Sequence, residues 1–368
     1  MSMYRRIFCG VLGMVVMAGA ARAEEAGKLE EVAAFGKNQP IGMAVASKPN
    51  RVFVSFPHKE PFLYGLTEIV NGERKPFPNE EWNRYDTTKP ESHFVNVQDL
   101  FVDGGDDLWV LDSAPGAAGS IFGKEGGAKG GYFKLVRIDL EKNEVARVYD
   151  FPDLAKEKSG LNDVCVDLGH GLAYLSDPGQ KAIVVLDLES GKTRTVLQEH
   201  ASTLATPGFK LSYEGKEMVD GEGKPFSSNV NGIALTKDEK YFYYRAINQT
   251  KLYRIETKYL ADAGLSAEEL GKKVETVAET GVCHGMVTDA KGNVFLTDSM
   301  NQAMKYVTPE GELKTLVTDE RLIWPDSLGV GSDGYLYLTC AQMNRLPKYH
   351  GGEDKVSYPY RAFRVKLP

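Results

Sequence analysis

Apolar and polar residues alternate along most of this chain in short runs, and the runs come in pairs separated by Gly, Asp, Asn or Lys. One phrase returns six times: Ile41-Gly42-Met43-Ala44-Val45, Gln98-Asp99-Leu100-Phe101-Val102, Asn162-Asp163-Val164-Cys165-Val166, Asn231-Gly232-Ile233-Ala234-Leu235, His284-Gly285-Met286-Val287-Thr288 and Asp326-Ser327-Leu328-Gly329-Val330. Ten or eleven residues after the second position of each comes an aromatic strand centre: Phe53, Trp109, Tyr174, Tyr243, Phe295 and Tyr337. Turns such as Gly104-Gly105-Asp106 and Asp333-Gly334 lie between, so each unit is a hairpin. Hairpins repeated roughly 40 to 70 residues apart predict an all-β fold, a six-bladed β-propeller.

Further period-two runs supply the outer strands. Residues 133–140 and 182–188 fit third strands, and 145–151 and 193–197 fit the fourth strands that follow them. Residues 251–255 and 303–307 take the third-strand place in later blades. An open ring would leave sheet edges exposed, so 28–35 and 360–367 are expected to pair and tie the N- and C-terminal strands into one blade. Three insertions break the pattern. Residues 114–131 are glycine-rich, 199–229 carry Pro207, Gly208, Gly221, Gly223 and Pro225, and 257–273 hold the helix start Ser266-Ala267-Glu268-Glu269-Leu270. The first two fall at the rim where the repeats begin, either as a lid or as a plain surface excursion.

Residues 1–23 read as a secretory signal. Arg5 and Arg6 open it, 7–20 is apolar but short for a bilayer span, and Ala21-Arg22-Ala23 is a small-x-small cleavage site. A single propeller domain over 24–368 is expected, secreted or periplasmic. Removing the signal takes away three arginines and no acids, moving the net charge from −7 to about −10. That acidic balance, with no Lys/Arg cluster, argues against nucleic acid and against membrane insertion after cleavage. Cys165, Cys283 and Cys340 stay in the mature chain. They suit small buried hydrophobes, with a Cys283–Cys340 bridge as the alternative.

The first position of the phrase carries the candidate chemistry: Ile41, Gln98, Asn162, Asn231, His284 and Asp326. Innermost propeller strands line a central channel, so five hydrogen-bonding side chains converge on its mouth. Gln98, Asn162, Asn231, His284 and Asp326 are therefore candidate ligand-binding residues. The ends of the aromatic strands add Asp112, Asp177 and Asp298, with Arg245 at the end of the fourth blade's strand. The competing reading is a wet channel whose lining bonds water, with the three aspartates capping turns. His284 is the ring's histidine and its candidate acid/base group. The sequence holds no G-x-S-x-G, H-E-x-x-H, C-x-x-C or P-loop pattern. Asn248-Gln249-Thr250 has the form of a glycosylation sequon.

The segments 51–57, 97–103 with 108–112, 231–235 with Tyr243-Tyr244, and 252–257 followed by Leu260 resemble the major royal jelly/Yellow protein family over nearly the whole mature chain. The resemblance implies an exported six-bladed propeller. Its activities are mixed: dopachrome conversion for some insect members, amine binding in the channel for others, nutrition for others again. A more distant likeness is to the SMP-30/gluconolactonase propellers. Asn162 and Asn231 match that family's substrate and metal asparagines, but His284 stands in place of its metal aspartate. Gln39-Pro40-Ile41 stands in place of its ligating glutamate. A hard cation wants several carboxylates and this ring supplies one, Asp326, so no metal and no cofactor is assigned.

Three functions are compatible with these residues. The first is an exported propeller holding a small molecule in the channel mouth, with metal-independent tautomerase chemistry on catechol-derived compounds as its enzymatic form. The second is a metal-dependent lactone or ester hydrolase of the gluconolactonase type. The third is a platform that binds a protein partner at the rim without catalysis.

Overall fold

Each phrase is apolar at successive positions, so its strand needs cover on both faces. The fold provides it by standing six sheets on edge around a channel. The structure is a computed structural model and describes residues 27–115 and 131–368. The expected signal segment and most of the glycine-rich insertion lie outside the described residues.

Among the described residues there are six four-stranded antiparallel sheets. Blade 1 runs outward through Met43–Ser47, Asn50–Ser55, Leu66–Val70 and Glu73–Pro76. Blade 2 comprises Val97–Val102, Leu108–Ala114, Tyr132–Asp139 and Glu144–Tyr149, and blade 3 Val164–Asp167, Leu172–Asp177, Ala182–Asp187 and Thr193–Val196. Blade 4 is Val230–Leu235, Tyr241–Ala246, Lys251–Glu256 and Glu275–Glu279. Blade 5 is Met286–Thr288, Val294–Asp298, Ala303–Val307 and Leu313–Thr318. Blade 6 takes Pro325–Val330, Tyr335–Cys340 and Arg361–Lys366 from the end of the chain and Glu30–Ala34 from its beginning.

That last pairing closes the ring as expected. Glu30 lies opposite Arg364 and Glu31 opposite Phe363. Ion pairs of 2.9 Å join Glu30 to Arg364 and Glu31 to Arg361 across the seam. The expected helix start is also present: Ser266 caps Ala267–Gly271 in a reciprocal box with Glu269.

The core consists of wedges between neighbouring blades. Period-two alternation explains this, because one strand feeds two wedges. Ala173 and Leu175 pack toward blade 2 with Trp109 and Leu135, whereas Leu172 and Tyr174 pack toward blade 4 with Phe242 and Tyr244. Cys165, Cys283 and Cys340 are free and buried in or beside these wedges. Polar staples reinforce the blade contacts at the hairpin turns. Asp106 accepts from the backbone of Ser47 and Lys48, and Glu239 accepts from Leu168 and Gly169.

Near the channel the inner strands touch. A Cβ on Gly232 would stand 2.3 Å from the carbonyl oxygen of His284, and one on Gly285 would stand 1.8 Å from that of Asp326. Glycine is required there because backbone meets backbone. Gly285→Ala is expected to cost about 1–3 kcal/mol or more through forced separation of blades 5 and 6, read as a lower denaturation midpoint. Gly104→Ala, with open space around the new methyl, is the control that should leave it unchanged.

Candidate functional site

The mouth of the channel is built by bulges. In blade 2 the pairing slips between Val97 and Asp99, in blade 4 between Val230 and Ile233, and in blade 6 between Pro325 and Leu328. Gln98 has no residue opposite it, the Asn231-Gly232 pair faces the one residue Arg245 and the Asp326-Ser327 pair faces Thr339, so each bulge holds one extra residue at the first or second position of the phrase. An extra residue breaks the in-out alternation and re-aims a side chain that would otherwise lie in the sheet. At the same place in blades 1, 3, 5 and 6, hydroxyls on the second strand hold the backbone of the phrase. The Gly42 N–H donates to Ser55 Oγ at 2.8 Å, that of Asp163 to Ser176 Oγ at 3.1 Å, and that of His284 to Thr297 Oγ1 at 2.9 Å. The Ser327 N–H donates to Thr339 Oγ1 at 3.3 Å.

Gln98, Asn162 and Asn231 meet on one side of the mouth and line a cavity of about 300 Å³. Asn96, Ser113 and Asn229 add further amide and hydroxyl groups to its wall. Gln98 Nε2 donates to Asn162 Oδ1 at 3.3 Å, and Asn162 Nδ2 donates to Asp163 Oδ1 at 2.7 Å. Asn231 is only 6 % exposed, yet its side-chain amide has no protein partner among the described residues. The amide opens onto the cavity rather than being sealed from it, so it is free to hydrogen-bond a ligand or water there.

The 199–229 insertion forms the roof. Pro225 to Ser228 face the cavity together with Lys348 and Tyr349. Leu211, Met218 and Phe226 pack on Ile41, Trp324 and Met343, sealing the other side of the mouth with an apolar plug. Asn248 fastens this roof: its Oδ1 accepts from Ser228 N–H at 2.9 Å, and its Nδ2 donates to the carbonyls of Phe226 and Phe209. Asn248 is fully buried, so the sequon's asparagine is closed to a glycan.

His284 lies in the plugged half and does not line the cavity. Its ring stacks on Trp324 with centroids 3.9 Å apart, and its Nε2 is 2.6 Å from Ser299 Oγ. Burial, with the Arg245 guanidinium nearby, pushes its pKa down to about 3, so the imidazole is neutral. Asp326 joins Asp99 and Asp163 within the channel. Burial, then the neighbouring Asp99 carboxyl, raises Asp326 to about 7. Burial likewise raises Asp99 to about 7 against the pull of the Val164 and Leu100 N–H groups, and it holds Asp163 well above the usual carboxylate range.

Asp112, Asp177 and Asp298 spend their oxygens on loops, and none lines the cavity. Asp112 accepts from the N–H groups of Val95 and Asn96 and from Lys134 Nζ at 2.5 Å. Asp177 accepts from Gly160, Ser159 and Gln180. Asp298 accepts from Asn301 and pairs with Lys305. Arg245 is fully buried and donates to the carbonyls of Gln249 and Gly281 and to Thr280 Oγ1, bracing blade 4 against the next loop.

A cation does not fit the donor set. No group of three His, Cys, Asp or Glu among the described residues is arranged to hold one, and the floor of the cavity is amide. Two groups of residues were not anticipated. The hydroxyls of Ser55, Ser176, Thr297 and Thr339 each stand two residues after the aromatic strand centre, a signal available in the repeat alignment. Asn96, Asn229 and Trp324 each stand two residues before the first position of the phrase, so the repeat could have pointed to them, whereas Tyr213 sits in the 199–229 insertion, which has no repeat.

The comparisons with known proteins agree on family and fold. A family model described as Major royal jelly protein matches residues 95–367. Major royal jelly protein 7 of Apis mellifera is 25% identical over 198 residues, 51% of this chain and 41% of that protein. The Yellow-related salivary protein LJM17 of Lutzomyia longipalpis is 24% identical over 248 residues, 61% of this chain and 57% of that protein. The chain thus spans about half the length of these curated relatives. Among solved structures, a gluconolactonase from Xanthomonas campestris superposes with a TM-score of 0.56 at 11% identity, covering 96% of this chain and 94% of its own. Regucalcin, a calcium-binding protein from Agrobacterium tumefaciens, superposes with a TM-score of 0.54 at 13% identity, covering 93% and 96%. Those two likenesses are of fold alone.

The channel acids set a pH dependence. A carboxyl raised in the folded state contributes stability that is fully present below its unfolded pKa, about 4, and is lost as pH rises through about 7. Asp326→Asn cannot ionise. Its midpoint of thermal unfolding, relative to the parent chain, is expected to rise between about pH 4 and about pH 8. A difference that stays flat across that range would contradict the assignment.

Proposed function

The chain belongs to the major royal jelly protein family, and on that footing we propose that it is an exported propeller that binds a small molecule in the channel mouth, on Gln98, Asn162 and Asn231. The unpartnered Asn231 amide beneath a roofed cavity is the observation that carries this reading. An amide both donates and accepts, so a floor of three amides suits a neutral ring bearing hydroxyl or carbonyl groups. Phe226 and Tyr349 offer such a ring apolar edges. Catechol-derived compounds, which the family resemblance implies, have this chemistry.

Binding without turnover is the preferred form of the reading. A tautomerase step would ask His284 to take up a proton that its surroundings disfavour strongly. The hydrolase reading would need a cation that the amide floor is poorly made to hold. Export rests on the segment before Glu24. Mass analysis of the mature protein from the extracytoplasmic fraction is expected to find Glu24 at its N-terminus, and retention of the apolar segment would count against export.

Calorimetric titration of catechol, dopamine and a sugar lactone into the mature chain tests the site. A catechol is expected to bind, and Asn231→Ala to weaken it about tenfold, roughly 1.4 kcal/mol, with an unchanged melting temperature. If no ring compound binds, or if the variant binds as the parent does, the mouth is only a hydrated channel end.

A further inference from the structure

The cavity is neutral at its floor and charged on its roof side. Among the described residues, three charged side chains line it: Asp220, Lys224 and Lys348. Lys224 stands two residues before Phe226 and Lys348 one before Tyr349, so the charges arrive on the segments that carry the cavity's two aromatic rings.

Asp220 and Lys224 close a tight turn. The Asp220 N–H donates to the Lys224 carbonyl at 2.9 Å, and Asp220 Oδ1 accepts from the N–H groups of Glu222 at 3.0 Å and Lys224 at 2.9 Å. The Lys224 N–H, then that of Glu222 and the charges of Lys348 and Lys224, hold the Asp220 carboxyl below the usual carboxylate range. The acid is thus ionised and already engaged. The lysines are less well served. Lys348 Nζ lies 5.4 Å from the centre of the Tyr349 ring, and among the described residues neither ammonium makes an ion pair or a hydrogen bond. Two cations share one carboxylate, which leaves a positive charge over at the cavity of a chain whose net charge is −7.

Charge counting gives the sign of what belongs there. An amine at the roof would be a third cation beside one acid, whereas a carboxylate makes two of each. The floor offers a carboxylate only amides and hydroxyls, with Asp163 bonded to Asn162 at 2.7 Å just behind them, so the charge stays at the roof. We propose that the ligand is an aromatic acid, its hydroxylated ring on Gln98, Asn162 and Asn231 and its carboxylate held by Lys224 and Lys348. This rests on the mouth being a binding site, and it adds the charge of the occupant and the way round it lies. The end that enters the channel remains neutral. A cavity of about 300 Å³ takes one ring with a short arm. Both lysines are exposed, so their attraction is modest and screened by salt.

Calorimetric titration of the mature chain with methylcatechol, dihydroxyphenylacetate and dopamine tests this, since the three share a ring and differ in the charge of the arm. At low salt the acid is expected to bind about three- to fivefold tighter than the neutral compound, and dopamine more weakly than either. In about 1 M salt, where the screening length is about 3 Å, the three affinities should converge. Lys224→Gln combined with Lys348→Gln, both at exposed positions, is expected to abolish the acid's advantage at low salt. Dopamine binding most tightly, an acid no better than methylcatechol, or an advantage that survives in the double variant would overturn the inference and leave the mouth a binding site. If none of the three binds, the mouth reading falls and takes this one with it.

Discussion

The mouth depends on a broken hydrogen-bond ladder. A regular inner strand would send alternate side chains into the two wedges beside it and none toward the channel end. The slips at Gln98, Asn231-Gly232 and Asp326-Ser327 insert residues that the neighbouring strand does not match. Backbone N–H groups at this place need partners as well, and the hydroxyls of Ser55, Ser176, Thr297 and Thr339 supply them in blades 1, 3, 5 and 6. Glycine at the next position then lets the neighbouring blades close to contact. Re-aiming, hydroxyl and glycine serve the same place in the ring and are shared out among the blades, no blade carrying all three. That shared place explains why the phrase is conspicuous in sequence: three separate physical demands fall on adjacent residues.

Six wedges of apolar packing make the mouth rigid without consuming the channel. Because each strand divides its side chains between two wedges, stability comes from blade contacts away from the axis, and the axis is free to be polar. The ring still has to be closed, and the Glu30–Ala34 strand does so with ladder bonds and two ion pairs. The exposed ion pairs contribute little by themselves. The removal of an open sheet edge matters more.

Much of this was legible in the residues. The repeat phase located all six inner strands, the third strands of blades 2 to 6, the fourth strands of blades 2 and 3, and the joining of the two ends in blade 6, because alternation and turn residues are local signals; the outer strands of blade 1 and the fourth strands of blades 4 and 5 were not located. It also identified Gln98, Asn162 and Asn231, which the fold brings to one cavity. What a repeat cannot convey is depth and cover. His284 and Asp326 occupy the same place in the phrase as Asn231, yet Trp324 and the roof enclose the first, and the second sits with Asp99 and Asp163 inside the channel. The strand-end aspartates were ambiguous for a related reason. An Asp beside a loop can face a cavity or hold the loop, and only the N–H groups around Asp112 and Asp177 distinguish the two.

The two halves of the mouth differ in what they ask of a guest. The open half offers neutral amides that can be satisfied by hydroxyl or carbonyl oxygens without transferring charge into a buried space. Below lie three acids whose protons are held by burial, so a neutral guest avoids desolvating a carboxylate as well as itself. The plugged half holds a neutral histidine under an aromatic ring and a roof. The floor of the mouth is therefore uncharged in both halves, by amides in one and by depressed basicity at His284 in the other, and among the described residues charge borders the cavity only from the roof side, at Asp220, Lys224 and Lys348. A site built this way discriminates by hydrogen-bond pattern and shape, and the roof that shapes it is the same insertion that touches His284 through Tyr213 and Ser299.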